Sequence, residues 1–248
     1  MKIATWNVNG IRARAEQVHA WLQEEKPDVV CLQEVKASPE QVPATLLGLE
    51  DYWGYWHGFK GYSGVALLVR KGLSAERPAF VHPPFNMENR MVMASIGGTT
   101  FVSVYVPNGG KDFNAKLQFL TALDGFAEAL KATRESLILC GDLNVAHTPR
   151  DVHPKERGEV IGQLPVERAL LDRMLSHRLV DLGRASAPDD DNLFTWWPPW
   201  RQMRQRNIGW RIDYIYASDR LAQKAKSCEV RTQVGTSDHA PVVAVIDV

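Results

Sequence analysis

The sequence predicts an α/β fold built as a single domain from residue 1 to residue 248. Strand-like apolar runs and amphipathic helical segments are mixed along the whole chain, which is typical of this fold class. The chain has 248 residues, of which 45% are hydrophobic and 23% are charged, as expected for a soluble globular protein with a sizeable core. It contains no repeat, low-complexity tract or linker that would divide it.

The composition excludes some classes of protein and indicates a location. No apolar run approaches the ~18 residues needed to span a bilayer, and the start of the chain lacks the apolar region of a secretory signal. Cys31, Cys140 and Cys228 each lie in a strand-like run, so we expect free buried thiols and a cytoplasmic protein with no membrane partner. The formal net charge is +0, so nucleic-acid binding has to rest on local patches.

The first predicted elements end in polar side chains. Residues 3–8 alternate loosely as a strand that closes on Asn7, and a helical stripe follows until Pro27. Residues 28–34 form a second, buried strand that ends in Glu34. A carboxylate at the end of an apolar strand is costly to desolvate unless it is paired or binds a metal. A solvated strand end or a structural ion pair explains Glu34 equally well when it is taken alone.

The middle of the chain is predicted to alternate between strands and helices. A capping pattern with a proline at the first helical position predicts a helix from residue 38 through residue 47. A glycine-rich loop separates two strands, and a second glycine pair forms the turn of a hairpin. The remaining predicted elements are strands 52–57 and 65–69, a hairpin of 91–96 with 99–106, a helix 117–130, a strand 137–144, a helix 165–175, and strands 194–197, 212–216, 228–234 and 242–246.

The strand that begins at Leu137 carries the clearest candidate for a catalytic group. Four apolar residues lead through a glycine to Asp142 and Asn144, so an acid and an amide are held at the rim of a core. Asp142 can activate a water or bind a cation, and Asn144 can orient the same water or donate to an anionic oxygen. The alternative for this stretch alone is an Asp/Asn turn that caps the next loop.

The same construction recurs along the chain, and its recurrence points to metal-assisted hydrolysis. Acids lie in or beside several predicted strands, together with carboxamides and one histidine: Glu34, Asp142, Asp213, Asp238, Asn7, Asn144 and His239. Carboxylate oxygens with few soft ligands suit Mg²⁺ or Mn²⁺, and no zinc-ligand spacing competes with them. A metal beside an activated water, with donors for the developing charge, is suited to phosphoester hydrolysis.

The interval between Asp191 and Asp213 is rich in arginine and tryptophan and contains no acidic residue. Its basic and aromatic members are Arg201, Arg204, Arg206 and Arg211, with Trp196, Trp197, Trp200 and Trp210 among them. Arginines that bind phosphates and aromatics that stack are typical of nucleic-acid binding. The alternative is a solvated basic loop over a few core tryptophans.

Seven ordered motifs resemble those of the exonuclease III family of apurinic/apyrimidinic (AP) endonucleases, within the wider endonuclease–exonuclease–phosphatase superfamily. The resemblance extends almost from end to end. The motifs are Trp6–Gly10, Leu32–Glu34, Gly61–Val65, Tyr105–Asn108, Gly141–His147, Trp210–Tyr214 and Ser237–His239. The family fold that this implies is a four-layer α/β sandwich, in which two mostly antiparallel, mixed β-sheets lie face to face with helices outside.

The resemblance implies a metal site and a set of catalytic residues. The cofactor is Mg²⁺, for which Mn²⁺ can substitute, and Glu34 is its main ligand, with Asn7 close by and Asp238 as a further contributor. The resemblance implies five residues at the reacting phosphate. In this implied arrangement, Asp142 activates the attacking water, and Asn144 orients that water and the phosphate. His239 contacts the phosphate and is oriented by Asp213, and Tyr105 also binds the phosphate.

The resemblance also implies a DNA substrate and how it is bound. The implied function is hydrolysis of the phosphodiester 5′ to abasic sites in double-stranded DNA by a monomer, with 3′–5′ exonuclease and 3′-phosphodiesterase or phosphatase activity at 3′ ends. Candidate phosphate and backbone contacts are Asn108, Arg12, Lys60 and Tyr62. Lys111 and Trp200 align with positions that relatives insert into the duplex. Trp196, Trp210 and Ile212 match the pocket that receives a flipped-out abasic sugar.

Two other functions stay open at this point. One is a phosphatase or phosphodiesterase of the same superfamily that acts on a small or lipid phosphate. The interval rich in Trp and Arg argues against it, and activity on a free phosphoinositide would favour it. The other is a non-catalytic nucleic-acid binder, against which the presence of all the acidic residues argues.

Overall fold

Eleven strands and six α-helices make up the part of the chain that the computed structural model describes, residues 1–85, 87–133 and 135–247. The strands are β1 (Lys2–Asn7), β2 (Val29–Gln33), β3 (Tyr52–Phe59), β4 (Tyr62–Arg70), β5 (Met91–Ile96), β6 (Thr99–Tyr105), β7 (Ser136–Asp142), β8 (Leu179–Asp181), β9 (Asp213–Ser218), β10 (Ala225–Val230) and β11 (Val242–Ile246). The helices are α1 (Ile11–Glu25), α2 (Ala44–Leu47), α3 (Phe113–Lys131), α4 (Pro165–Ser176), α5 (Leu182–Ser186) and α6 (Asp219–Ala222).

The strands form two mixed sheets. The first has the order β10-β11-β1-β2-β4-β3, and the second has the order β5-β6-β7-β9-β8. Each sheet contains one parallel pair, β1 with β2 and β6 with β7, while the other neighbours are antiparallel. Strands that run parallel end at the same edge of a sheet, so the polar residues at those ends are brought together.

Three apolar clusters separate the layers and confirm the four-layer sandwich. One cluster lies between the inner faces of the two sheets and includes Val29, Val65, Phe101, Ile138 and Ile215. The outer face of the first sheet packs against α1, and the outer face of the second packs against α3 and α4. Each of these three helices buries one apolar stripe against a sheet, which is why its periodic sequence predicted it.

Two predicted elements differ from the structure. Residues 38–47 do not form one helix, because Pro43 interrupts it: a 3₁₀ turn covers Pro39–Gln41 and α2 begins only at Ala44. Residues 194–197 do not form a strand; Trp196 makes isolated bridges with Trp210 and His239 instead. The predicted strands at 28–34, 137–144, 212–216 and 228–234 are present with shifted ends. Among the described residues, none of the helices combines the length and the apolarity that crossing a bilayer requires.

Candidate active site

Glu34 follows the last residue of β2 and points a nearly buried carboxylate into the end of the sheet sandwich. Its backbone has a φ of +48°, and its side chain is 16% exposed. Oε1 accepts hydrogen bonds from Nδ2 of Asn7 and from the hydroxyl of Tyr105, both at 3.0 Å. Lys36 Nζ lies 2.5 Å from Oε2. Burial raises the pKa of Glu34, but the hydrogen bonds from Asn7 and Lys36 outweigh it and leave the pKa below its usual value.

Asn7 is oriented as a donor to the acidic residues. Its Oδ1 accepts the backbone N–H of Asn9 at 3.0 Å. Its Nδ2 therefore faces Glu34 and lies 2.8 Å from Oδ2 of Asp142. A metal ligand would have to present the amide oxygen instead. The Asn9 backbone thus fixes the amide with its nitrogen toward both carboxylates, and the expected place of Asn7 at the metal site stays a prediction.

Asp142 ends β7 and is almost completely buried at 1% exposure. In the sheet it lies opposite Tyr105 on one side and Asp213 on the other. Its Oδ1 accepts the backbone N–H of Asn144 at 2.8 Å. Burial raises the pKa of Asp142, the charge of His239 lowers it, and the neighbouring carboxylates raise it again, to about 7. A carboxylate with a pKa near neutrality is well suited to accept a proton from water.

Asn144 adopts a left-handed backbone conformation with a φ of +52°. Its Nδ2 donates to the carbonyl of Val106 at 2.9 Å and lies 3.3 Å from Oδ2 of Asp142. The side-chain donors are therefore directed at protein atoms, not at a phosphate site. Asparagine tolerates this backbone region better than most residues, which explains why an amide fits at this position.

His239 lies between two buried carboxylates. Its Nδ1 is 2.9 Å from Oδ2 of Asp213, and its Nε2 is 3.9 Å from Oδ2 of Asp142. Thr195 Oγ1 donates to the same Asp213 oxygen at 2.6 Å and holds that carboxylate in place. Burial lowers the pKa of His239, but the charges of Asp213 and Asp142 outweigh it and raise the pKa to about 10. The imidazole is therefore protonated at neutral pH, with a second N–H left to donate from Nε2.

The donor set fits a hard divalent cation. Within the described residues, ligand atoms of Glu34, Asp142 and His239 all lie within 4.8 Å of one another. A protonated His239 offers no lone pair, so the two carboxylates are the better ligands of this group. Carboxylate oxygens without a soft ligand suit Mg²⁺ or Mn²⁺. The close approach of Lys36 to Glu34 is a further sign that this carboxylate attracts cations.

Asp238 lies at the side of the acidic group and has other partners. Asn9 Nδ2 donates to its Oδ1 at 2.9 Å, and Trp196 Nε1 donates to its Oδ2 at 3.0 Å. Burial raises the pKa of Asp238, whereas His239 and these hydrogen bonds lower it to a value below the usual one. Asp238 therefore links the acidic group to the tryptophans, and its expected contribution to the metal site stays a prediction.

The three pocket candidates lie together beside His239. The rings of Trp196 and Trp210 meet edge to face with centroids 5.6 Å apart, and Ile212 packs in the same apolar cluster. The Trp196 ring lies 6.4 Å from the His239 ring. Gly162 supports the far side of Trp210: an added Cβ would lie 2.9 Å from the indole carbon Cζ3. An apolar wall therefore borders the charged histidine directly.

The candidate DNA contacts are exposed, and several are linked to the site. The exposed positions are Arg12, Lys60, Tyr62, Asn108, Lys111 and Trp200. Tyr62 is tied to the site through Arg90, which donates to the Tyr62 hydroxyl at 3.0 Å and lies over the Tyr105 ring at 4.7 Å. Trp200 is 56% exposed and lines an open groove of about 810 Å³ together with Asp238. Arg12 lies in the first turn of α1.

Three neighbours of the site were not predicted from the sequence. Lys36 pairs with Glu34 and follows it by two residues, so a search for basic residues after each acidic strand end would have found it. Thr195 and Arg90 carry no such signal. A lone threonine or arginine in a loop is compatible with any surface role, and only the folded chain places them against Asp213 and Tyr105.

Comparison with known proteins identifies the family to which the chain belongs. A family model for the Endonuclease/Exonuclease/phosphatase family matches residues 4–239. The exodeoxyribonuclease of Bacillus subtilis (strain 168) is 34% identical, with 100% of this chain and 100% of the relative covered.

Two solved structures extend the comparison. The AP endonuclease from Archaeoglobus fulgidus has a TM-score of 0.89 and 32% identity, with 100% of both chains covered. A variant of the 3′ phosphatase NExo from Neisseria, bound to a product DNA hairpin, has a TM-score of 0.90 and 31% identity over 100% of both chains. Because the family model spans most of the sequence and these relatives match along their whole lengths, the chain belongs to the Endonuclease/Exonuclease/phosphatase family.

Proposed function

We propose that this protein is a Mg²⁺-dependent DNA repair nuclease that hydrolyses the phosphodiester 5′ to an abasic site in double-stranded DNA. The observation that carries the proposal is a buried Asp142–His239–Asp213 arrangement that lies against an apolar wall. The charged groups suit phosphodiester hydrolysis, and the wall suits an uncharged sugar without a base. The similarity to an exodeoxyribonuclease and to an AP endonuclease supports the same reaction class.

Glu34 would hold the cation, which leaves Asp142 free to act on the water. When bound there, Mg²⁺ supplies positive charge that offsets the negative charge on the phosphate oxygens. Asn7 and Tyr105 donate to the oxygen Oε1 of Glu34 and so keep the carboxylate in one orientation. A ligand whose position is fixed in this way loses little conformational freedom on binding.

Asp142 would take the proton of the attacking water. Its pKa near neutrality places it close to the working pH, and the N–H groups of Asn144 and Asn7 hold its two oxygens. Asn144 uses its Nδ2 to fix this carboxylate. We therefore assign Asn144 to positioning of Asp142 and, through its amide oxygen, of the water.

His239 would donate a hydrogen bond from Nε2 to a non-bridging oxygen of the scissile phosphate. Asp213 binds Nδ1 and keeps the ring charged, so that the donor is present before the substrate arrives. A preorganised charged donor stabilises the charge that develops in the transition state and contributes about 10²–10³ in rate. Tyr105 and Asn108 would contact the same phosphate from β6 and the loop after it.

Binding of the duplex would use the exposed residues around the site. Arg12, Lys60 and Tyr62 are proposed as backbone contacts, and Lys111 and Trp200 as residues that enter the duplex beside the damage. Trp196, Trp210 and Ile212 would receive the extruded sugar. An abasic nucleotide is flipped at lower cost than a paired one, so the pocket favours it.

Related reactions on DNA ends are part of the proposal. The same site would act on 3′ ends as a 3′–5′ exonuclease and a 3′-phosphatase, which the similarity to a Neisseria 3′ phosphatase bound to a DNA hairpin supports. We further propose that residues 1–248 act as one catalytic domain and as a monomer. The core shared between the two sheets supports the single domain. A cytoplasmic location is proposed from the three free buried cysteines.

A nicking assay on a duplex with one abasic analogue tests the proposal. An intact duplex and a free phosphoinositide are the comparison substrates, and each is assayed with Mg²⁺, with Mn²⁺ and with chelator. We expect incision of the abasic duplex that requires the metal and is lost in Asp142→Asn. Preference for the phosphoinositide would support a lipid or small-molecule phosphatase, and binding without cleavage would support a non-catalytic binder.

A further inference from the structure

A fully buried ion pair joins α3 and α4 next to the site. Nζ of Lys116 lies 2.5 Å from Oε1 of Glu167, and both side chains are 0% exposed. Charges removed from water so completely are stable only when both are paired and hydrogen-bonded. Neither residue has a place in the reaction described above, so their burial calls for another explanation.

Lys116 holds the backbones of Asn108 and Asn144. Its Nζ donates to the carbonyl of Asn144 at 2.7 Å and to the carbonyl of Asn108 at 3.3 Å. The lysine stem also fills the space beside Gly109, where an added Cβ would lie 2.9 Å from Cδ of Lys116. One ammonium group therefore links the segment after β6 to the segment after β7.

Glu167 holds the loop that packs against the pocket wall. Its Oε2 accepts the backbone N–H groups of Gly162 at 2.7 Å and Leu164 at 3.1 Å. Gly162 in turn lies against Trp210 and against the carbonyl of Asn144, which a Cβ at Gly162 would approach to 3.1 Å. Its φ of +91° suits glycine, so the loop can come this close to the indole.

We propose that Lys116 and Glu167 are positioning residues that set the distance between Asn108 and Asn144 on one side and the pocket wall on the other. Lys116 holds the backbones of Asn108 and Asn144. Glu167 holds Gly162, which packs against Trp210. This inference rests on the proposed function, because the distance matters only if one substrate contacts both places. A misplacement of about 1 Å in such an arrangement can lower a rate by about 10²-fold.

A purely structural role is the competing explanation, and the chain offers a matched control for it. Arg173 of α4 pairs with Asp124 of α3, which is 4% exposed, so a second ion pair joins the same two helices. In the described structure the hydrogen bonds of Asp124 go to Arg173 and His177, and none reaches Asn108, Asn144 or Gly162. If joining the helices is all that matters, both pairs should have the same effect on catalysis.

The test compares two double variants with the wild type in single-turnover incision of an abasic duplex. Lys116→Met with Glu167→Gln removes both charges, keeps the volume, and keeps an acceptor for Gly162 and Leu164. Asp124→Asn with Arg173→Met is the control. We expect the first to lower the maximal rate about 10- to 100-fold, with the duplex concentration at half-maximal rate changed less than about twofold. We expect the control to retain the wild-type rate.

Thermal melts of each protein and titration of the active fraction correct for folding. A wild-type rate in the first double variant, or an equal loss in the control, would overturn the positioning role while the proposed function stands. Absence of incision by the wild type itself would overturn the proposed function, and this inference with it. If the first double variant does not fold, Lys116→Arg decides, since it keeps the buried positive charge paired with Glu167 while its longer, planar head cannot reproduce the contacts of Nζ with both carbonyls. A wild-type rate there would likewise overturn the proposal.

Discussion

Nδ1 of His239 lies 2.9 Å from Oδ2 of Asp213, in a pair of which neither member is more than 5% exposed at its side chain. The pair fixes which ring nitrogen faces the acidic group and keeps the ring charged. Thr195 donates to the same carboxylate oxygen. The orientation of the proposed phosphate donor is therefore set before any substrate binds.

Removal of the Asp213 charge should impair catalysis and shift its pH dependence. In Asp213→Asn the pKa of His239 should fall from about 10 toward its usual value. Since the protonated ring is the active form and exists below its pKa, the alkaline limb of the rate profile should move to lower pH. We expect a rate loss of about 10²–10⁴ at neutral pH with duplex binding retained, and His239→Ala as the reference for complete loss. An unshifted profile of incision rate against pH would contradict this role.

Glu34 should govern the metal requirement. Glu34→Gln loses one anionic oxygen of the cation site, so the Mg²⁺ concentration at half-maximal incision should rise about tenfold or more. The measurement is a metal titration of the incision rate. Glu40→Gln changes an exposed acid of the 3₁₀ turn at Pro39–Gln41 and serves as the control. Overlapping titration curves for the wild type and Glu34→Gln would remove Glu34 from the metal site.

Trp210 should control selectivity for abasic sites. Trp210→Ala enlarges the space beside Trp196 and Ile212, so incision of an abasic duplex should fall while intact or base-modified nucleotides become less disfavoured. The measurement is the ratio of incision rates on abasic and intact duplexes, with a thermal melt of the same protein. A loss in equal proportion on both substrates, together with a lower melting temperature, would make Trp210 only a core residue.

Trp200 should act in DNA binding without a role in stability. Because its side chain is 56% exposed, Trp200→Ala should leave the melting temperature unchanged. It should weaken binding and incision of the abasic duplex, because stacking on a base contributes about 1–3 kcal/mol. Leu47→Ala is a control with similar exposure, 53%, on α2. Wild-type affinity and incision in Trp200→Ala would exclude insertion into the duplex.

His57 should make stability depend on pH. Burial and the charge of His82, whose ring stacks on it at 3.8 Å, lower the pKa of His57 to about 4. Between that value and the unfolded pKa of about 6.5, the unfolded chain binds more protons, so the free energy of unfolding falls as the pH falls through this window.

The contribution of His57 is measured as the difference between the wild type and His57→Gln. This comparison is needed because the raised pKa of Asp142 changes the free energy of unfolding in the opposite direction over the same pH range. In thermal melts between pH 4 and pH 6.5, the melting temperature of the variant should fall less than that of the wild type. Each kcal/mol of unfolding free energy corresponds to about 2–4 °C in melting temperature. Parallel curves for the two proteins would show that His57 does not contribute.

The sequence by itself determined the family and the places where chemistry-bearing side chains leave the strands. Apolar runs that stop at Glu34 and Asp142 mark strand ends, because a buried strand cannot carry an acid far into a core. Parallel pairing places Asn7 beside the end of β2 and Tyr105 beside Asp142. The packing of the two sheets against each other then brings these two edges together. The roles assigned to these residues remain predictions until they are measured.

Only the tertiary structure decided how the side chains are oriented and held. The amide of Asn7 points its nitrogen at the acids because a backbone N–H of Asn9 takes its oxygen, a contact that no pattern encodes. The pairing of Lys116 with Glu167 joins residues of two helices that are far apart in the chain. In sequence, Glu167 looks like an ordinary polar residue of an amphipathic helix, and Lys116 like a polar residue just before one. Their burial depends on how α3 and α4 pack, and packing is a property of the folded chain alone.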